Sequence, residues 1–335
     1  MSVHHPDLHR RVLAGTSLAL GAALIITACS GPDQQSVQAE EGFPSRSIDV
    51  VVPFAPGGSA DGTTRQLVAE AEEACGTSFV IRNETGGAGS VGFRSALDST
   101  PDGYTLGTAA IEMSILEHFG IVDILPERDV QGIIQYSEQP VAIAVPADSP
   151  LETFEDLQTS ENDRMTVATS GTGSIYHLGF EGMALVAGLE DRLVNAPFDG
   201  TASALQAAMG GQTDAVTAGA AELRPFVESG DLRALAVFGD PVDYFPEEVP
   251  TLEELGYDWD STAVLGIYAP AGTPDEHVEF LSDCLDEARQ SESFSEYMET
   301  TGLNQVHRDA QEFDAFLDEE YDRYGEVVRE IGLVE

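Results

Sequence analysis

The feature that most constrains this chain is a repeated unit: a short apolar run, a glycine-rich turn, then apolar residues at helical spacing. Ile48-Asp49-Val50-Val51-Val52-Pro53-Phe54 leads into Ala55-Pro56-Gly57-Gly58-Ser59-Ala60-Asp61-Gly62, after which Leu67, Val68 and Ala71 recur helically within 63–74. That order predicts strand, turn and helix. It recurs at Phe79 to Asn83, followed by a glycine turn and a helix to Leu97. It recurs again at Met165 to Thr169, the turn Ser170-Gly171-Thr172-Gly173-Ser174 and a helix over 175–188. A strand over 193–198 leads through Asp199-Gly200-Thr201 into a helix ending at Met209, with strand again over 213–217. Apolar runs at 141–145, 235–238 and 262–268 read as further strands, 151–157 as a short helix, and 275–289 and 310–331 as long amphipathic helices. Strands alternating with helices imply α/β lobes built on parallel, doubly wound sheets. Two series with a final segment left over predict two lobes, 44–140 completed by 263–335, and 141–262, with a ligand cleft between them.

The N-terminus sets the compartment. Arg10 and Arg11 precede an uncharged run from Val12 to Ala28, which closes on Ile26-Thr27-Ala28-Cys29. A positive region, an apolar region and small residues before the cut describe a signal peptide, here 1–28. A cysteine directly after the cut resembles bacterial lipoprotein signals, which implies a lipidated Cys29 on the outer face of the cytoplasmic membrane or in the periplasm. Residues 29–43 are polar and without periodicity, and read as a tether. In that oxidising compartment Cys75 and Cys284 either pair or remain two buried thiols; spacing is compatible with both.

The formal net charge is −44, from 59 Asp and Glu against 15 basic residues, and all 15 are arginine. Carboxylates spread along the whole chain repel one another, and that repulsion weakens as the screening length falls to about 3 Å at 1 M salt. Adaptation to a salty habitat is the direct reading. A cationic ligand is the sharper one. Nucleic acid is disfavoured, since no basic stripe exists to displace its counterions.

Two turns carry chemistry. The segments 56–61 and 170–174 each place glycines and small hydroxyls between a strand's end and a helix's start, where free N–H groups and about half a positive charge favour an anion. A third, Gly87-Ala88-Gly89-Ser90-Val91-Gly92, spells G-x-G-x-x-G, the dinucleotide fingerprint. It lies on the second strand-turn-helix unit of a chain routed out of the cytoplasm, so it reads as a structural turn at the cleft rim and no cofactor is expected.

These motifs, in order, resemble the tripartite tricarboxylate transporter substrate-binding proteins, the TctC or Bug receptors. The resemblance runs from Ile48 to Asp61 through Asn83-Glu84-Thr85-Gly86-Gly87-Ala88-Gly89, Pro101-Asp102-Gly103-Tyr104-Thr105-Leu106 and Ser170 to Ser174 with His177-Leu178. It continues in Ala196-Pro197-Phe198-Asp199-Gly200-Thr201-Ala202, Gly210-Gly211-Gln212-Thr213-Asp214, Val249-Pro250-Thr251-Leu252 and Ala269-Pro270-Ala271-Gly272-Thr273-Pro274. It implies a type II periplasmic-binding-protein fold, capture of a small organic anion (a di- or tricarboxylate or related acid), and delivery by a monomer to a two-component membrane permease. Carried over by position, Phe54, Ala55, Gly57, Gly58, Ser59 and Asp61 line one wall and Ser170, Gly171, Thr172, Gly173 and Ser174 the other. Phe198, Gly200, Thr201 and Asp214 sit deeper, with Gly87 and Ala88 as outer contacts. Alanine at Gly58 or Gly173 is then expected to weaken binding and spare the fold. Where many relatives have Tyr-Lys-Gly, this chain has Phe198-Asp199-Gly200.

The main enzymatic rival is an extracytoplasmic hydrolase of small acids or esters, with Ala88-Gly89-Ser90-Val91-Gly92 as a nucleophile elbow and His177 or His118 as base. The strict G-x-S-x-G is absent, and neither histidine is tied by sequence to a partner acid. The seven histidines form no metal-binding spacing.

Overall fold

The computed structural model describes residues 42–332; the expected signal peptide, Cys29 and most of the expected tether lie outside the described residues. The elements are β1 (Ile48–Val52), α1 (Ser59–Cys75), β2 (Phe79–Asn83), α2 (Ser90–Leu97), β3 (Thr105–Ala110), α3 (Pro126–Asp129), β4 (Val130–Pro146), α4 (Asp156–Thr159), β5 (Met165–Thr169) and α5 (Ile175–Ala187). They continue with β6 (Leu193–Pro197), α6 (Thr201–Met209), β7 (Ala215–Gly219), α7 (Ala220–Ser229), β8 (Leu232–Phe238), β9 (Thr262–Pro270), α8 (Asp275–Arg289), α9 (Glu292–Thr301), β10 (Asn304–Arg308) and α10 (Ala310–Glu330).

β4 ties the molecule together. Its residues from Val130 to Pro140 pair antiparallel with β9, and from Val141 to Pro146 they pair antiparallel with β8. The first sheet adds β1 parallel to both β2 and β3, β3 antiparallel to β9, and β10 antiparallel to β4. In the second, β5 lies parallel to β6 and β7, and β7 antiparallel to β4. The sheets are therefore mixed, not wholly parallel: strand-helix alternation predicts the crossover units, and β9 enters the first sheet from the far end of the chain in the opposite sense.

Several elements depart from the sequence reading for identifiable reasons. β4 begins eleven residues before the apolar run at Val141 because Gln135, Ser137 and Gln139 interrupt the pattern while being buried. Gln135 accepts from the Arg308 guanidinium, and Gln139 Oε1 accepts from Ala221 N at 3.1 Å. The short helix expected over 151–157 forms only at Asp156–Thr159, since the Asp156 carboxylate accepts from Glu152 N and Thr153 N, each at 2.8 Å, and holds a turn there. β7 starts at Ala215, two residues late. α7, α9 and β10 escape the sequence reading. α7 contains Pro225, and α9 buries only Phe294 and Met298.

α10 shows how local chemistry and packing agree. Asp309 Oδ1 accepts from Glu312 N at 2.9 Å, while Glu312 Oε2 accepts from Asp309 N at 3.2 Å, a reciprocal cap of the helix start. Phe313, Leu317, Tyr324 and Val328 then fall on one buried stripe.

α1 and α8 are joined by a disulfide between Cys75 and Cys284, with Cα atoms 5.2 Å apart. Both cysteines are buried, so the bond links elements that pack on one face of the first sheet. Replacing both by serine is expected to lower the unfolding free energy by about 2–5 kcal/mol. Denaturant titration in high salt measures it, and an unchanged midpoint would contradict a stabilising link.

Candidate functional site

The C-terminal ends of parallel strands are where α/β folds place ligands, and three turns gather there on each sheet. On the first, β1 ends at Val52 and the chain turns through Ala55 to Gly58 into α1. Gly57 adopts a φ of +83°, in the left-handed region that favours glycine. Asp61, 3 % exposed, organises this turn. Its carboxylate accepts from Gly57 N at 2.9 Å, from Asn83 Nδ2 at 2.7 Å and from Arg65 Nε at 3.0 Å. Asn83, at the end of β2, also donates to the Phe54 carbonyl at 3.0 Å. Burial alone would raise the Asp61 pKa, but hydrogen bonds from Arg65, Gly57 and Asn83 hold it below the ordinary value. Asp61 thus faces the interior and fixes the wall; it does not line it.

What the turn leaves open is the start of α1. Gly58 O accepts from Gly62 N at 2.9 Å, so the amides of Ser59, Ala60 and Asp61 precede the first intrahelical donor and have no acceptor within the helix. Ser59 Oγ is buried and has no hydrogen-bond partner among the described residues. A methyl group built on Gly58 would meet only the Ala55 carbonyl oxygen, at 3.6 Å. Beside this turn lies a cavity of about 380 Å³ lined by Gly57, Gly58, Ser59 and Gly62, by Glu222, Arg224 and Glu228 of α7, and by Tyr297 of α9.

The second-sheet turn has a different character. Ser174 Oγ donates to Gly171 O at 2.8 Å and accepts from His177 N at 3.2 Å, making it the cap of α5. Gly173 N donates to His177 Nδ1 at 3.2 Å, and Ile175 N donates to Glu112 Oε1 at 3.1 Å. Glu112 follows β3, so a carboxylate of the first sheet's turns already occupies the start of the second sheet's helix. Gly171 has a φ of +120° and Gly173 of +84°. An added methyl on Gly173 would lie 2.9 Å from Ile121 Cδ1 and 3.0 Å from Leu116 Cδ2. Alanine there strains the fold, contrary to the sequence expectation. Of this wall, half-buried Ser170 and exposed Thr172 keep their hydroxyls outside these bonds.

The remaining predicted residues divide. Phe54 packs edge-on against Phe93, with centroids 6.3 Å apart, beside the turn Gly87–Gly89. Ala88 holds a φ of +52° and Gly87 is exposed, so this turn forms a rim. Gly92 is the close-approach position: a methyl would come within 2.6 Å of Pro53 Cα. Ala55 and Gly200 are exposed, Phe198 is half-buried, and Thr201 lies beside Glu222. Asp214 is not brought to the site. Its carboxylate clips Thr166 N at 2.7 Å and Thr166 Oγ1 at 2.8 Å, at the start of β5, about 13 Å along the strand from the turn at its end.

Sequence reasoning missed Glu112 and Glu222. Glu222 Oε2 accepts from Tyr176 OH at 2.6 Å and from Gly219 N at 3.3 Å. Burial raises its pKa, and no arginine or histidine among the described residues forms an ion pair with either glutamate. A lone acid inside the apolar run Ala109-Ala110-Ile111-Glu112-Met113 was the available signal for the first.

The tripartite tricarboxylate transporter family receptor profile, TctC, matches residues 63–333. The chain belongs to that family. The protein BugT of Bordetella pertussis is 28% identical over 298 residues, covering 87% of this chain and 90% of its own. A periplasmic transporter structure superimposes with a TM-score of 0.79 at 28% identity, over 87% of this chain and 99% of its own. MatC from Rhodopseudomonas palustris, solved with bound malate, gives 0.76 at 26% identity, over 85% of this chain and 100% of its own. This TctC-family receptor therefore has a type II periplasmic-binding-protein fold with two lobes, and family members are periplasmic solute-binding proteins and not enzymes. The histidines weighed as bases are engaged elsewhere. His177 lies 3.4 Å from Glu181, and His118 Nε2 is 2.8 Å from the Tyr321 carbonyl. Among the described residues no group of three or more His, Cys, Asp or Glu is arranged to hold a metal ion.

Glu112 gives the receptor a measurable signature. Burial pushes its carboxyl up to about 7, against the Ile175 amide, which favours the ionised form, and the Glu222 charge adds to the rise. The folded chain retains a proton that the unfolded chain has lost, so this contribution to stability falls as pH rises from 4.5 towards about 7. Glu112→Gln keeps an acceptor for Ile175 N and removes the titration. Its stability relative to wild type should rise between about pH 5 and about pH 8 by on the order of 2 kcal/mol. Denaturation at fixed high salt reads it, and a gap constant with pH would contradict the assignment.

Proposed function

We propose that this receptor captures a small organic carboxylate at the N-terminus of α1 and delivers it to a two-component membrane permease. The observation that carries the reading is the unpartnered, buried Ser59 Oγ at the edge of a cavity of about 380 Å³. Beside it the first-turn amides of α1 supply donors and partial positive charge. Charge-assisted hydrogen bonds of about 1.5–3 kcal/mol each are enough, in sum, for micromolar affinity without an arginine. The malate bound by MatC, at 26% identity, is of the chemistry this cradle fits.

In this reading the lobes are 44–140 with 263–335, and 141–262, and ligand stabilises their closed arrangement, which the permease recognises. Asp61 and Asn83 position the cradle; Ser170 and Thr172 do not line the cavity beside it, and their hydroxyls reach the ligand only when the lobes close. The chain works as a monomer tethered through lipidated Cys29, and its acidic surface suits high salt.

A thermal-shift panel of mono-, di- and tricarboxylates in high salt tests the reading. At least one acid should raise the melting temperature by mass-action linkage. Gly58→Ala should weaken that acid by about tenfold while leaving the ligand-free melting temperature unchanged. No shift with any acid, or full affinity in Gly58→Ala, would overturn the placement.

A further inference from the structure

A carboxyl group spans the contact between the two sheets' turns. Glu112 stands on the turn Ile111–Ser114 that follows β3. It is 6 % exposed, and its Oε1 accepts from Ile175 N at the start of α5, at 3.1 Å. Apolar side chains seal the same contact, since a methyl built on Gly173 would lie 2.9 Å from Ile121 Cδ1 and 3.0 Å from Leu116 Cδ2. In the lobe division proposed above, Glu112, Leu116 and Ile121 stand on the first lobe, and Gly173 and Ile175 on the second. Parting the two at this contact breaks the bond and admits water to the carboxyl. Joining them buries it.

The ionisable groups around Glu112 come from every element packed on its turn. α5 brings Tyr176, α7 brings Glu222, and α10 brings Tyr324, whose hydroxyl accepts from Arg323 Nη2 at 2.8 Å. Glu222 is itself held by Tyr176 OH at 2.6 Å, by Gly219 N at 3.3 Å and by the Thr201 side chain. Tyr268 of β9 donates to Phe93 O at 3.1 Å. The two nearby histidines are turned elsewhere: His177 to Gly173 N and Glu181, His118 to the Tyr321 carbonyl. Burial and the Glu222 charge oppose ionisation of Glu112, while the Ile175 amide favours it, and burial prevails, holding the carboxyl at about 7. Exposed to water, the same group returns towards the ordinary 4.5.

We infer that Glu112 is a proton-operated latch between the lobes: neutral, it holds the start of α5 on the first lobe, and ionised, it lets the two part. It rests on the two-lobe receptor reading above and adds a control on that receptor's motion. With the latch made, the lobes close around a ligand about a fixed point; with it released, the second wall moves free of the first. The joined form keeps its proton up to about pH 7 and the parted form only to about pH 4.5. The preference for joining is therefore full below about pH 4.5, falls as pH rises, and is lost above about pH 7. Between about pH 6 and about pH 8 it changes by about tenfold.

Hydrogen exchange of the full folded protein, in high-salt buffers free of carboxylates and with no acid added, tests the latch. Exchange at Ile175, divided by its intrinsic rate at each pH, reads the parting. It should be faster than at Leu281 and Leu285 in the core of α8, should rise by about tenfold from about pH 6 to about pH 8, and should level off above that. In Glu112→Gln, which keeps an acceptor for Ile175 N, the rise should disappear. A flat wild-type profile overturns the latch, as does exchange at Ile175 no faster than in α8, which marks global unfolding. A rise that persists in folded Glu112→Gln overturns the role of Glu112, and if that variant does not fold, the wild-type profile decides alone. No acid ligand is present, so each of these results leaves the carboxylate reading to the thermal-shift panel.

Discussion

The ladder of β4 is the constraint on which the rest depends. One strand pairs with β9 up to Pro140 and with β7 and β8 from Val141 onward, so the two sheets share it. Its residues are buried almost throughout, including Gln135 and Gln139, whose polar groups are matched by Arg308 and by the amide of Ala221. Unmatched, each would cost about 1–3 kcal/mol. The bond from Gln139 reaches the start of α7, so the strand that joins the sheets also fixes the helix that presents Glu222.

With the strand ends fixed, satisfaction of helix N-termini distinguishes the two turns. Both leave orphan amides that attract anions. At α5 the chain supplies the partners itself: Ser174 for His177 N, His177 for Gly173 N, and Glu112 for Ile175 N. At α1 the buried Asp61 carboxylate takes Gly57 N and shapes the turn, yet the amides after it and Ser59 Oγ remain for a ligand. The asymmetry turns two similar motifs into one supporting wall and one receptive cradle. Glu112 links them, because its carboxyl belongs to the first sheet's turns and its acceptor duty to the second sheet's helix.

Much of this was legible before the structure. The turn at 56–61 announces itself through Gly57, Gly58 and Ser59 between an apolar strand and a helical pattern, and the third glycine of G-x-G-x-x-G packs where a close helix-strand approach was expected. Asp61 was legible as important but not in its direction, since its partners Arg65 and Asn83 come from a helix turn ahead and a different strand. Asp214 shares a motif with the family and a strand with the second lobe, but its place at the start of β7 puts it at the wrong end of the sheet. Glu112 and Glu222 lie 110 residues apart in sequence. Only the closing of both sheets on β4 brings their charges within reach of each other, and no periodicity encodes that.

The central claim is that the anion cradle is the start of α1, with the start of α5 closed by the protein's own carboxylate. A crystal structure of the receptor with the acid that stabilises it tests this directly. The account predicts a ligand carboxylate within hydrogen-bonding distance of Ser59 Oγ and the first-turn amides of α1, with Ile175 N still donating to Glu112. A carboxylate seated on Ile175 N, with Glu112 displaced, would contradict it.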